Sequence, residues 1–310
     1  MTDNPRRIAL VGVGKIARDQ HIPSIEGDPG FVLAATVSRH GTVHGVEAFG
    51  DLSSLFLARP DIDSVALCMP PQVRFAYAAE ALAARKHVLL EKPPGATLSE
   101  VHELERLASE KGCTLFATWH SRFAAAVPKA REWLAGKRIR RVTVTWKEDV
   151  RRWHPGQEWI WQAGGLGVFD PGINALSVLT EIYPRSVHLT SATLEFPEGR
   201  DTPIAASLAF HDPAGAEIRA EFDWRQEGPQ TWDIVVETES GSMTLSRGGA
   251  ALAIDGKSVA EEPNREYAGI YRRFAELIAA GQSDVDLSPM VHVADAFTLG
   301  RRVTVEPFAF

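Results

Sequence analysis

The stretch Ile8-Ala9-Leu10-Val11-Gly12-Val13-Gly14-Lys15-Ile16-Ala17 decides how this sequence is read. A short apolar run of strand length meets Gly-x-Gly-x-x-Ala, and an amphipathic pattern of helical length follows. Each position has a physical task. Gly12 permits a tight turn, Gly14 has no Cβ to block a pyrophosphate, and Ala17 is small enough for a helix to lie close on the strand. The N–H groups at the start of that helix then face the phosphates. The bland alternative is an ordinary glycine turn, which the strand before it, the helix after it and a well-spaced second strand all disfavour.

Outward from this unit, short apolar runs alternate with helical stretches up to about residue 122. Strands are expected at Ile8 to Val13, Phe31 to Val37, Ser64 to Cys68, His87 to Leu90 and Thr114 to Trp119. Helices are expected near Ala17 to Ile25, Val73 to Ala84 and Ser99 to Lys111. This alternation is that of a doubly wound parallel sheet of the Rossmann kind. Past residue 122 the pattern changes. After a helix at Ala125 to Ala135 come alternating runs at Arg141 to Trp146, Ser191 to Leu194, Ile204 to Phe210, Ile218 to Trp224 and Trp232 to Glu237, with closing helices at Tyr267 to Ala280 and Pro289 to Arg301. Period-2 alternation predicts an open, mainly antiparallel sheet with one covered face. The fold class is therefore α/β, a dinucleotide-binding domain over 1–122 followed by an α+β domain over 123–310.

The chain has 310 residues, 45% of them hydrophobic, enough for a substantial core. Its 33 Lys+Arg against 40 Asp+Glu give a net charge of −7 without a basic patch, which argues against a nucleic-acid partner. Two cysteines, Cys68 and Cys113, are too few for a disulfide framework or a thiolate metal site, and both sit in apolar runs as small hydrophobes do. The start, Met1 to Arg7, is polar and no run is long enough to span a bilayer, so a cytoplasmic protein without membrane or metal is expected.

The second strand ends at Val37-Ser38-Arg39-His40. NAD enzymes commonly place a carboxylate there, whereas Ser38 and Arg39 suit a 2′-phosphate, so NADP is expected to be preferred, with NAD also used. Glu91-Lys92-Pro93-Pro94-Gly95 follows the run His87 to Leu90, which puts Lys92 at the carboxyl end of a strand, where open α/β sheets bind ligands. The two prolines stiffen the turn, and a cis X-Pro bond there would aim Lys92 rigidly. Asp170 and Asn174 are four apart and share a face of any helix that includes both; Asp170 before Pro171 reads equally as an N-cap followed by proline at N1. Trp146, Trp153, Trp159 and Trp161 crowd a polar stretch, readable as core packing or as a wall for the C–H face of a sugar with Glu148, His154 and His120 holding hydroxyls. His21, His44 and His211 read as surface groups.

The Gly12 fingerprint, Glu91-Lys92-Pro93, and Asp170 with Asn174 together resemble the Gfo/Idh/MocA family of sugar oxidoreductases over essentially the whole chain. Trp146 to Gly156 and Phe169 to Asn174 resemble, more narrowly, its bacterial L-arabinose and D-galactose 1-dehydrogenases. The resemblance implies Lys92, Asp170 and Asn174 as the catalytic group. It implies a cofactor site of Gly12, Gly14, Lys15, Ile16, Ser38, Arg39, His40, Cys68, Pro70, Glu91 and Lys92, and an aldose site of His120, Glu148, Trp153, His154, Asp170, Asn174 and Trp232. It further implies oxidation at C1 to a lactone and a homodimer through the C-terminal sheet. Most members have a histidine where this chain has Asn174, which cannot titrate, so the base role falls to Lys92 or Asp170, a coupled pair. A cyclitol or diol dehydrogenase of the same superfamily and a non-catalytic NADP-binding sensor are the alternatives left open.

Overall fold

The computed structural model describes residues 5–39, 41–263 and 265–309. Strands β1 (Arg6–Val11), β2 (Phe31–Val37), β3 (Glu47–Phe49), β4 (Ser64–Leu67), β5 (His87–Leu90) and β6 (Leu115–Ala117) form one sheet in the order β3-β2-β1-β4-β5-β6. All neighbours in it run parallel. Helices on its faces bury the central strands, so β1 and β4 are continuous apolar runs, with Ile8, Leu10, Val65 and Leu67 all inaccessible. The strand order reverses between β1 and β4, and the glycine loop leaves the carboxyl end of β1 at that point.

Phe31–Val37 and His87–Leu90 form the strands expected of them to the residue. The helix after the glycine loop departs from expectation. Residues Ala17–His21 wind as a π-turn before an α-helix at Ile22–Glu26, and Ile22 N–H donates to Ala17 O, five residues back. Pro23 is the cause: it has no N–H to return to Asp19, and its ring would strike that carbonyl in an α-helix. The strand Glu47–Phe49 and the helix Leu52–Ala58, capped by Asp51 on Ser54 N–H, were not anticipated by pattern. The helix Leu98–Lys111 carries a full capping box of Thr97 and Glu100 and stops at Gly112, φ 65°.

The second sheet comprises β7 (Ile139–Lys147), β8 (His188–Pro197), β9 (Ala205–His211), β10 (Glu217–Asp223), β11 (Thr231–Thr238), β12 (Gly241–Ser246), β13 (Ala251–Ile254), β14 (Lys257–Glu261) and β15 (Arg301–Val305), ordered β14-β13-β12-β11-β7-β10-β9-β8-β15. It is mainly antiparallel, but β10 with β7 and β15 with β8 run parallel. Ile218, Ala220 and Phe222 alternate inward along β10. The helices Phe169–Ile182 and Ser288–Leu299 cover that face. At Gly172 a Cβ would stand 2.7 Å from the Phe222 ring, so the absence of a side chain sets how closely the first helix lies on the sheet.

The chain divides into two compact units. The first reaches to His120 and also takes in Glu266–Asp286, where the sequence pattern places a single cut after residue 122; the second holds Ser121–Arg265 and the chain from Leu287 onward. Among the described residues no helix is long and apolar enough to cross a membrane.

Candidate active site

In the first unit, Gly12 takes φ +91°, and a Cβ there would lie 3.0 Å from Met69 N. Glycine is required both for the backbone and for the approach to the loop after β4. Its N–H donates to Val37 O at 2.8 Å, tying the loop to the end of β2. A Cβ on Gly14 would meet nothing within 4 Å. This open cradle, at the carboxyl end of β1 where the strand order reverses, fits a dinucleotide phosphate. Lys15 and Ile16 open the helical run, Lys15 pairing with Asp19. Ser38 N–H donates to Phe49 O, and Ser38 Oγ accepts from Gly41 N–H at 3.1 Å. Arg39 is exposed, without a hydrogen bond or ion pair among the described residues. His40 lies outside the described residues. Pro70 stands exposed, directly ahead of the helix Pro71–Ala83.

Lys92 leaves β5 half-buried, and the Lys92–Pro93 bond is cis. Glu91 is only 3% exposed, and both its oxygens are engaged by the protein itself. Oε2 accepts Lys92 N–H at 2.9 Å, while Oε1 accepts from Tyr267 Oη at 2.7 Å and lies 2.9 Å from His21 Nε2. Arg74, buried on the helix Pro71–Ala83, donates to the carbonyls of Met69, Glu91 and Pro93 and so clasps the turn that carries Lys92.

His21, read from sequence as a surface group, is fully buried. Ala17, His21 and Ile25, spaced by four, share the inward side of the helical run, and Tyr271 Oη sits 2.6 Å from His21 Nδ1. Burial by itself would lower the imidazole pKa, but the Cys68 sulfur and the Glu91 carboxylate outweigh it and push it up to about 10. Burial likewise favours a neutral Glu91, yet the hydrogen bond and charge of His21, with His120 and the Tyr267 hydroxyl, hold it well below the usual carboxylate range. Cys68 is thus half-buried beside a charged pair rather than inert in the core, as Cys113 is. His120 belongs to this unit too, its Nδ1 2.7 Å from Glu266 Oε2 and its ring stacked on Tyr267 at 5.5 Å.

The second unit holds six of the seven expected sugar-binding residues. Asp170, 5% exposed, lies in the first turn of the helix Phe169–Ile182, with Val168 as the N-cap. It is not the capping residue that Asp-Pro suggested, and the helix N-terminus favours its charge. Asn174 follows one turn later on the same face, half-buried. His154 Nε2 lies 3.5 Å from Asp170 Oδ2 and 3.9 Å from Glu148 Oε1, between two buried carboxylates. Glu148 is held by two indoles: Trp232 Nε1 donates to Oε2 at 3.0 Å and Trp224 Nε1 to Oε1 at 3.3 Å. Trp153, 38% exposed, packs edge-on to Trp232 with centroids 5.5 Å apart and donates to Gln230 Oε1. Trp146 and Trp161 are core residues.

His21, Arg74, Trp224, Gln230 and Tyr267 have parts here that the sequence reading did not give them. For His21 the four-residue spacing from Ala17 and Ile25 was an available signal, and Trp224 closes an alternating strand. No group of three or more His, Cys, Asp or Glu able to hold a metal occurs among the described residues.

Residues 6–118 match the model of an oxidoreductase family with an NAD-binding Rossmann fold, Gfo/Idh/MocA. The galactose 1-dehydrogenase of Pseudomonas fluorescens is 46% identical over 307 residues, spanning 98% of this chain and 99% of its own. The crystal structure of a D-galactose-1-dehydrogenase from Rhizobium etli shares 60% identity and a TM-score of 0.97, covering 100% of this chain and 99% of that one. A 3-ketoreductase from Actinomadura kijaniata, solved with NADP, has a TM-score of 0.85 at 21% identity over 97% of this chain and 100% of its own, a likeness of fold alone. With its glycine cradle, its Glu-Lys-Pro turn and near-full-length relatives of this kind, the chain belongs to the Gfo/Idh/MocA oxidoreductase family.

Proposed function

We propose that this chain is an NAD(P)-dependent aldose 1-dehydrogenase that oxidises C1 of D-galactose and L-arabinose to the lactone and prefers NADP. The observation that carries the reading is the cluster in the second unit: two buried carboxylates, Asp170 and Glu148, share His154 beneath the indoles of Trp153 and Trp232. Polar groups fixed by buried hydrogen bonds beside an aromatic wall suit a pyranose, which offers hydroxyls at its rim and C–H bonds on its face. Both full-length relatives named above are galactose dehydrogenases.

When bound, the nicotinamide supplies the two-electron acceptor for the C1 hydrogen. The chain's own part is to hold the dinucleotide at Gly12, Gly14, Ser38 and Arg39, to orient the sugar hydroxyls, and to take the anomeric hydroxyl proton. Lys92 and Asp170 are the two groups for that proton, and Asn174 can orient but not titrate. The two sugars differ by the C6 hydroxymethyl group, a difference worth on the order of 1–3 kcal/mol in a pocket, and that group sets the preference between them.

The test is formation of reduced nicotinamide, followed by its absorbance, with NADP or NAD and galactose, arabinose, glucose or myo-inositol. Reduction by galactose and arabinose, lost in Lys92→Ala, is expected. Turnover of inositol alone would move the enzyme to the cyclitol dehydrogenases, and tight NADP binding with no turnover would make it a sensor.

A further inference from the structure

We infer that His21 is a positioning residue for Lys92, carrying the geometry of the glycine loop to the lysine through the Glu91 carboxylate. The inference rests on the part given to Lys92 above. The π-turn Ala17–His21 directly follows the glycine loop, and its end faces the buried side of the first unit. From there two hydrogen bonds reach the lysine backbone: His21 Nε2 to Glu91 Oε1 at 2.9 Å, and Lys92 N–H to Glu91 Oε2 at 2.9 Å.

The helix Glu266–Ala280 braces both ends of this relay, with Tyr271 on His21 Nδ1 and Tyr267 on Glu91 Oε1. Arg74 holds the carbonyls on either side of Lys92. The groups facing the imidazole are therefore Cys68, Glu91, Tyr267 and Tyr271. Protonated, His21 donates from both nitrogens and satisfies both partners at once. A buried ion pair is a poor source of stability, because an apolar pair of equal volume does as well or better. What it supplies here is direction: with Oε1 held by His21 and Tyr267, the Glu91 carboxylate turns Oε2 to the Lys92 amide.

The test uses the full chain and the variants His21→Leu and His21→Gln, read four ways: labelling of the Lys92 amine by trinitrobenzenesulfonate in sugar-free and nucleotide-free protein, NADPH affinity by fluorescence, kcat and KM for the sugar, and thermal midpoint. In His21→Leu the labelling rate of Lys92 is expected to change at least about threefold relative to that of exposed Lys15. The same variant should lose roughly tenfold in kcat with sugar KM moved less than about threefold. His21→Gln, still able to donate to Glu91, should recover most of both. Should His21→Leu fail to fold, His21→Asn, whose shorter amide stands in for Nδ1 toward Tyr271 but falls short of Glu91, is read in its place. Unchanged Lys92 labelling, a loss of NADPH affinity as large as the loss of kcat, or a glutamine variant as impaired as the leucine one overturns the inference. If the wild type oxidises no sugar, it is the proposed function that fails, and the labelling comparison still decides the part of His21.

Discussion

The indole N–H of Trp232 and the Glu148 carboxylate, 3.0 Å apart across β11 and the end of β7, make the aromatic wall and the acidic floor of the second unit one structure. Trp232→Phe keeps the ring against Trp153 but strips one donor from a buried carboxylate that Trp224 also holds at 3.3 Å and beside which His154 lies at 3.9 Å. The expected cost is about 1 kcal/mol in urea denaturation, together with a sugar KM raised more than kcat is lowered. A variant with wild-type KM would separate Glu148 from the sugar.

Arg74 donates to three carbonyls around the turn that carries Lys92. Lysine at this position has the charge but a single nitrogen in place of the two, Nη1 and Nη2, that serve the three carbonyls. Arg74→Lys is expected to lower stability by about 2 kcal/mol, seen as a lower urea midpoint at unchanged slope, since a buried carbonyl of Glu91 or Pro93 loses the donor that Arg74 gives it. It should also lower kcat even at temperatures where the variant is fully folded. Normal kcat in the folded variant would reduce Arg74 to a structural part.

Arg39 presents an exposed guanidinium just past β2 with no partner among the described residues. A 2′-phosphate would gain a charge-assisted hydrogen bond there, which the ribose hydroxyl of NAD does not need. Arg39→Ala is expected to raise KM for NADP roughly tenfold while leaving NAD within about twofold, with the thermal midpoint unmoved. Equal losses with both nucleotides would remove the basis for preferring NADP.

What the sequence disclosed and what it hid divide along physical lines. Strands such as His87–Leu90, buried on both faces, and β10, buried on one, write their environment directly into the residue pattern. The helix Phe169–Ile182 does so less plainly, because Phe169, Ile173, Leu176, Val178 and Leu179 bury nearly every side of it and leave only Asn174, Thr180 and Glu181 half-open. Only the Asp170–Asn174 spacing hinted at it. The strands β12 to β14 are short and rich in small or polar residues, with little for a pattern to seize. Glu148, Trp153 and His154 were legible because they are distinctive residue types near one another in the chain, whereas Trp232, far along the sequence, came from the family resemblance. The His21–Glu91–Tyr267 network was not legible, because it joins positions brought together only by the folded first unit, and a histidine met alone in a helix reads as a surface group.

That network also fixes how stability varies with pH. His21 titrates at its ordinary 6.5 in the unfolded chain and at about 10 when folded. Between those values the native state keeps a proton that the unfolded chain has released, so the contribution of His21 is full below 6.5, shrinks as pH rises and is gone above about 10. Glu91 acts in the opposite window: held low, its contribution is full above the ordinary 4.5 and is lost only as pH falls well below that. Tyr267 and Tyr271, pushed far up chiefly by burial, stay neutral on the native side throughout. From about pH 7 to about pH 9 the unfolding free energy should therefore fall by up to about 1.4 kcal/mol per pH unit through His21 alone. His21→Gln, with nothing to titrate at this position, should show a shallower slope over the same range by urea denaturation. Parallel slopes for the two proteins would mean that His21 carries no extra proton in the folded chain, and that Glu91 is held by hydrogen bonds without an ion pair.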